Sequence, residues 1–175
     1  MKWVIETKRL GLRKISKEDF EALAVFLKNS DVMYAWEHAF TDEEILQWID
    51  KNLIRYEQDG YSYFLTIEKQ TQQVIGVMGP LVEEIESDLY IGIAYILDEK
   101  FGGKGDAIEG ARACIEYACV ALNADKVIAQ IRPNNMASRK VAEKLGMTVE
   151  GEYIKHYQDK EMFHLIYSIK NESHS

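Results

Sequence analysis

The order of apolar patterns predicts an α+β domain: a central mixed, mostly antiparallel sheet of about seven strands flanked by about four helices. Three observations predict it. Three closely spaced strand-like runs lie in mid-chain, helical periodicity flanks them on both sides, and two strand-to-helix junctions follow. With 175 residues and 47% hydrophobic content the chain supports one good core. Its two prolines, Pro80 and Pro133, and its lack of repeats or low-complexity stretches leave no place for a linker. Residues 1–175 therefore read as a single domain, with a core over about 6–169.

Residues 9–13 alternate as a short strand. Ser16 then caps a helix with Asp19 at the capping-box position and Phe20, Leu23, Ala24 and Leu27 on one face. Thr41 opens the next helix with Glu44 three residues on, and Ile45, Trp48, Ile49 and Leu53 form its apolar stripe. Residues 61–68, 74–82 and 88–97, separated by short polar turns, read as an antiparallel meander. A helix over 105–122, a strand over 126–131, a helix over 135–145 and strands over 147–155 and 162–169 complete the chain. Gly146 suits the left-handed position that ends the fourth helix.

The formal charge of −8 excludes a long phosphate-tracking surface for nucleic acid and favours a cationic small molecule or a basic peptide; the scattered acids also serve ordinary solubility. Cys114 and Cys119, five residues apart on one helix, are separated by about 7.5 Å along its axis and read as buried thiols, not a disulfide. The opening residues lack a signal-peptide core and no run approaches eighteen apolar residues, so a cytoplasmic protein with no membrane partner is expected. His38, His156, His164 and His174 stand singly, without metal-ligand spacing, so no metal is expected.

The chemistry concentrates at two strand-to-helix junctions. Phe101-Gly102-Gly103-Lys104-Gly105-Asp106-Ala107 leaves backbone N–H groups uncovered where a helix dipole begins, the chemistry of a phosphate cradle. The second junction is Arg132-Pro133-Asn134-Asn135-Met136-Ala137-Ser138, where an Asn is also a natural helix cap. A dinucleotide-binding reading fails because the full G-x-G-x-x-G is absent and the loop follows a meander.

Taken in order, several segments resemble one family. Glu6-Thr7-Lys8-Arg9-Leu10 with Leu12-Arg13 is like E-T-x-R-L-x-L-R; Val74-Ile75-Gly76 is like V-I-G; Tyr95-Ile96-Leu97-Asp98 is like Y-W-L-D. Gly103-Lys104-Gly105-Asp106-Ala107-Ile108-Glu109 is like G-K-G-Y-A-T-E, Pro133 to Ser138 is like P-x-N-x-A-S, and Glu143-Lys144-Leu145-Gly146-Met147 is like E-K-L-G-F. On these motifs the chain resembles the GNAT superfamily of N-acetyltransferases, in particular the branch holding ribosomal-protein N-terminal acetyltransferases.

The resemblance implies a GNAT-like fold that binds acetyl-CoA in a splay between the strand ending near Leu97 and the strand over 126–131. The pantetheine arm would pair with the backbone of Tyr95, Ile96 and Leu97, and the pyrophosphate would rest on amides of Gly103, Lys104, Gly105, Asp106 and Ala107. Asn135 would contact the pantetheine arm. Ser138 would lie near the sulfur as the candidate acid, because Ala142 stands where other members carry a tyrosine. The reaction implied is direct aminolysis of the thioester, transferring acetyl to a primary amine without a metal.

Three positions depart from the family pattern. Gly92 stands where a Glu commonly precedes I-G-Y, which removes the obvious base; His164 replaces an Asp. Asp106 replaces a Tyr and reads as a solvated helix-start acid, or as a charge repelling phosphate if it points inward. Acceptor candidates are Trp36 and Glu37 between the first two helices, Asp88 with Glu83, Glu84 and Glu86 around the hairpin, and Tyr153 near the last one, Glu83, Glu84 and Glu86 each reading first as solvated turn acids. The acceptor is a peptide N-terminus or a small cationic amine, and a homodimer stays open. Gly92, Ala142 and His164 also motivate a different class, a coenzyme-binding or amine-sensing module without catalysis.

Overall fold

The computed structural model describes the chain except Met1, Glu37, Gly102, Gly103, Lys104, Gln158 and Ser175, and gives the backbone alone for Ala35, Tyr157 and His174. The elements run β1 (Ile5–Glu6), β2 (Leu10–Lys14), α1 (Phe20–Leu27), α2 (Asp42–Asp59), β3 (Phe64–Glu68), β4 (Gln73–Ile85), β5 (Asp88–Leu97), α3 (Asp106–Val120), β6 (Lys126–Ile131), α4 (Met136–Lys144), β7 (Thr148–Tyr157) and β8 (Lys160–Lys170). The strands form one sheet in the order β1-β2-β3-β4-β5-β6-β8-β7, antiparallel throughout except between β5 and β6. The expected seven strands are thus eight. The addition is β1, whose two residues pair as Ile5 with Leu12 and Glu6 with Gly11, too short to show any alternation.

Local signals place the helices. Ser16 and Asp19 form the expected capping box, though on a 3₁₀ turn (Lys17–Asp19) that leads into α1. Thr41 accepts from the Glu44 N–H, while Glu44 returns a bond from the Thr41 N–H at 3.0 Å, starting α2. Gly146 adopts φ +88° just after α4.

Helices cover both faces of the sheet. Leu23, Phe26 and Leu27 of α1 and Ile45, Trp48 and Ile49 of α2 pack with Leu65, Ile67, Val77, Leu81 and Ile96. Ala111, Cys114 and Ala118 of α3, with Ala142 of α4, pack on Leu10, Phe64, Ile75 and Met78. Strands buried on two sides carry continuous apolar runs, which is why β3 and the first half of β4 show no alternation. Cys114 is buried, which pushes its thiol up to about 12, and Cys119 is half-buried; both are free. No helix among the described residues is long and apolar enough to cross a membrane.

A buried polar bridge ties α2 to the meander. The Tyr56 hydroxyl donates to the Tyr63 carbonyl and accepts from the Ile15 N–H at 3.0 Å, with its ring stacked on Phe64. Tyr56→Phe keeps the stack but leaves two buried backbone groups unpaired. The expected loss is about 2–3 kcal/mol in urea unfolding, with an unchanged m-value.

Candidate active site

The parallel pair β5–β6 holds for only two residues, Ile91 with Val127 and Gly92 with Ile128. Beyond them β5 stays paired with β4 as far as Leu97, while β6 turns with β8, so the strands diverge. Among the described residues, one edge of residues 93–97 therefore has no ladder partner, and backbone donors and acceptors are presented into the gap. The gap opens into a cavity of about 300 Å³ lined by β4, β5, β6 and β7, by α2 and by α4. This is the splay expected from the sequence.

At the α4 side, Asn135 caps the helix: its Oδ1 accepts from the Ser138 N–H at 3.2 Å. The cap turns Ser138 into the cavity wall, where its Oγ accepts from the Tyr95 hydroxyl at 3.1 Å. Tyr95 thus spans the split with its side chain, whereas the sequence suggested only a backbone role. Burial raises its pKa, partly opposed by the bond to Ser138. Ala142, at 3% exposure, lines the cavity and leaves room where a larger side chain would stand.

At the opposite side lies Glu83 of β4, read from sequence as a solvated turn acid. It lines the cavity instead, because β4 extends three residues past its expected end and carries it over Gly92. A Cβ on Gly92 would lie 2.6 Å from Glu83 Cγ and 3.3 Å from the Ile128 carbonyl oxygen, so the missing side chain on β5 makes space for the carboxylate from β4. Burial raises the Glu83 pKa, opposed by Lys155, Arg55 and Lys51 and by the Gln130 Nε2 donor at 3.1 Å. A carboxylate raised above its ordinary range and, among the described residues, outside any ion pair within 4 Å is suited to accept a proton. His164 also lines the cavity; burial lowers its pKa and keeps the ring neutral, with Nδ1 donating to the Met162 carbonyl at 2.9 Å.

The helix start at α3 is set by a network between motifs a hundred residues apart. Arg9 donates from Nε to Glu109 Oε1 at 2.8 Å and from its backbone N–H to Glu109 Oε2 at 3.0 Å, while Thr7 Oγ1 also bonds Glu109. Arg9 Nη2 lies 3.0 Å from Asp106 Oδ1, and Asp106 is 1% exposed. The expectation of a solvated acid at Asp106 is corrected: the carboxylate points inward, where it faces the Arg9 guanidinium. Gly105 takes φ +81° as the N-cap residue, and the first-turn amides of Asp106 and Ala107 follow it. Gly103 and Lys104 lie outside the described residues.

Of the acceptor candidates, Trp36 lines the cavity with its ring edge-on to Phe40 at 5.9 Å, so it serves both packing and site. Glu37 lies outside the described residues. Asp88 is exposed at the hairpin end of β5, and Tyr153, opposite His164 in the β7–β8 pair, is half-exposed; neither is brought to the cavity. Lys51, Arg55, Gln130 and Lys155 line it and were not singled out. Lys51 and Arg55 carry an i, i+4 spacing that put them on one face of α2, with nothing in the sequence to say which way that face looks.

The family model described as an acetyltransferase (GNAT) domain matches residues 9–148. The chain belongs to the GNAT acetyltransferase family. Among curated relatives of this GNAT chain, an uncharacterized protein YkkB of Bacillus subtilis is 32% identical over 142 residues, 81% of this chain and 83% of that one. An uncharacterized N-acetyltransferase YnaD of the same organism is 31% identical, covering 84% of each chain. An acetyltransferase (GNAT family) from Bacillus anthracis superposes with a TM-score of 0.81 at 27% identity, covering 96% of this chain and 98% of that one. Other structures of the same fold hold coenzyme A or acetyl-CoA. The chain is therefore an acetyl-CoA-dependent acetyltransferase, and the unpaired β5 edge with the helix start at Gly105 fits an extended arm ending in phosphates.

Proposed function

We propose that this GNAT domain acetylates a primary amine, on a peptide N-terminus or a small molecule, with Glu83 as general base and Ser138, backed by Tyr95, as general acid. The observation that supports it is the convergence of a half-buried carboxylate and a hydroxyl pair on one cavity at the strand split. Acetyl-CoA supplies an activated thioester carbonyl. Glu83 takes a proton from the incoming ammonium, leaving a neutral amine to attack. A backbone N–H on the unpaired β5 edge faces the developing oxyanion. Ser138 protonates the departing thiolate and recovers a proton from the Tyr95 hydroxyl that already donates to it, while the acetylated nitrogen gives up its second proton to solvent in the cavity, from which Tyr95 is reprotonated.

Glu83 and Tyr95 provide the base and acid that Gly92 and Ala142 cannot, which weighs against a non-catalytic module. Thiol release from acetyl-CoA over a panel of amines tests the reading: amine-dependent release is expected, and Ser138→Ala should lower kcat about tenfold, because the Tyr95 phenol stays in reach. Tight coenzyme binding without turnover on any amine supports the module instead.

A further inference from the structure

The cavity's charge is opposite in sign to the chain's. Among its described lining residues, Lys51, Arg55, Arg132 and Lys155 stand against one carboxylate, Glu83. Among the described residues no carboxylate lies within 4 Å of Lys51, Arg55 or Lys155. These three come from two elements, α2 and β7, and all three act on the charge of Glu83; their repulsion shows in Lys51, whose pKa burial and the neighbouring Arg55 and Lys155 lower. Such a group of like charges favours a bound anion.

A second feature points to the same ligand. The Gln130 Oε1 atom is buried and accepts no hydrogen bond among the described residues, while its Nε2 is engaged by Glu83. A buried amide oxygen beside a carboxylate lacks a donor, and an ammonium supplies one to each. The cavity thus offers an ammonium slot and, next to it, a cationic pocket.

We propose that the acceptor is a primary amine bearing a nearby carboxylate or phosphate, its ammonium held by Glu83 and Gln130 and its anion by Lys51, Arg55 and Lys155. The proposal rests on the acetyl-transfer reading of the same cavity. The coenzyme's own phosphates are a poor match for these cations: the helix start at Gly105 follows the Leu97 end of β5, and Glu83 sits over Gly92, about 16 Å back along the strand. A polyamine is disfavoured, since each added positive charge meets the same lysines and arginine.

Matched acceptors test it by thiol release: alanine against alaninamide, O-phosphoethanolamine against ethanolamine, and spermidine as a polycation. The anionic member of at least one pair should show kcat/KM about tenfold or more above its neutral partner, as expected of a charge-assisted contact, and which pair does so separates carboxylate from phosphate. The ratio should fall toward one in Arg55→Met/Lys155→Met and with rising salt. Lys155→Glu should shift preference toward spermidine. Equal or better use of the neutral partners or spermidine by the wild type, or a ratio unmoved by the double substitution, overturns the proposal. Calorimetry on the coenzyme A-loaded protein reads the pocket apart from chemistry: tighter binding of the anionic member without turnover of any amine sinks the transferase reading and upholds the pocket, whereas no preference in binding overturns the pocket.

Discussion

Replacing Glu83 with Gln is expected to lower kcat/KM by about 10²–10³-fold, the range carried by a positioned general base, while leaving the melting temperature nearly unchanged. Gln matches the shape of Glu, still receives the Gln130 donor, and removes a charge that burial disfavours. The pH profile separates a base from a merely structural acid. Burial holds the Glu83 pKa above the usual carboxylate range, so wild-type kcat/KM should climb as pH rises through that raised value and the carboxylate forms. The groups facing it, Lys155 from β7, Arg55 and Lys51 from α2 and Gln130 from β6, all pull the other way, so each cation removed should move the climb to higher pH. The Gln variant should lack that limb. Wild-type rates with an intact pH limb in Glu83→Gln would end the assignment.

The space above Gly92 permits a sharper version of the same test. Because a Cβ at Gly92 would stand 2.6 Å from Glu83 Cγ, the two positions share one volume, and only one can carry a carboxylate. Gly92→Ala alone should cost about tenfold in kcat/KM by displacing Glu83, a sub-ångström error in a positioned base. Glu83→Gly should be nearly inactive, and adding Gly92→Glu should restore activity above that background by placing a carboxylate in the vacated space from the neighbouring strand. No recovery, with the double variant folded, would mean that the base must approach from β4.

Much of this molecule was legible because its signals are local. The Thr41–Glu44 capping box, the Asn135 cap and the turn at Gly146 are each decided within four residues, so spacing alone places them. Glu83 was not legible, since Glu83, Glu84 and Glu86 look alike near a hairpin, and what selects Glu83 is an absent side chain on the partner strand nine residues on. The cationic wall was hidden for a related reason. Net charge sums over the whole surface, whereas Lys51, Arg55 and Lys155 converge through the packing of α2 and β7 around one gap, a juxtaposition fixed by topology. Asp106 was misjudged because Arg9, which faces it, lies almost a hundred residues away, just before β2.

That pairing carries the largest expected effect on stability. Arg9→Met keeps most of the aliphatic stem but strips Asp106 and Glu109 of their shared cation, at a site where Asp106 is 1% exposed. Removing one partner of a buried pair costs more than the pair is worth, but the Arg9 side chain is 39% exposed and screened, so about 2–3 kcal/mol is expected, or about 5–10 °C in melting temperature. Asp106→Asn in the Arg9→Met background should recover about half of that loss, since the buried charge is gone; an additive cycle would show that the two side chains do not interact. The pH dependence has a definite sign. Burial raises the Glu109 pKa but the bonds from Thr7 and Arg9 together lower it below the ordinary value, so its contribution is full above the unfolded carboxylate range and lost as pH falls through the lower folded value. Wild-type stability should therefore drop more steeply than that of Arg9→Met over that acid window. Because the same network anchors the first turn of α3 at Gly105, coenzyme affinity should weaken along with stability in Arg9→Met, even at temperatures where the variant is fully folded.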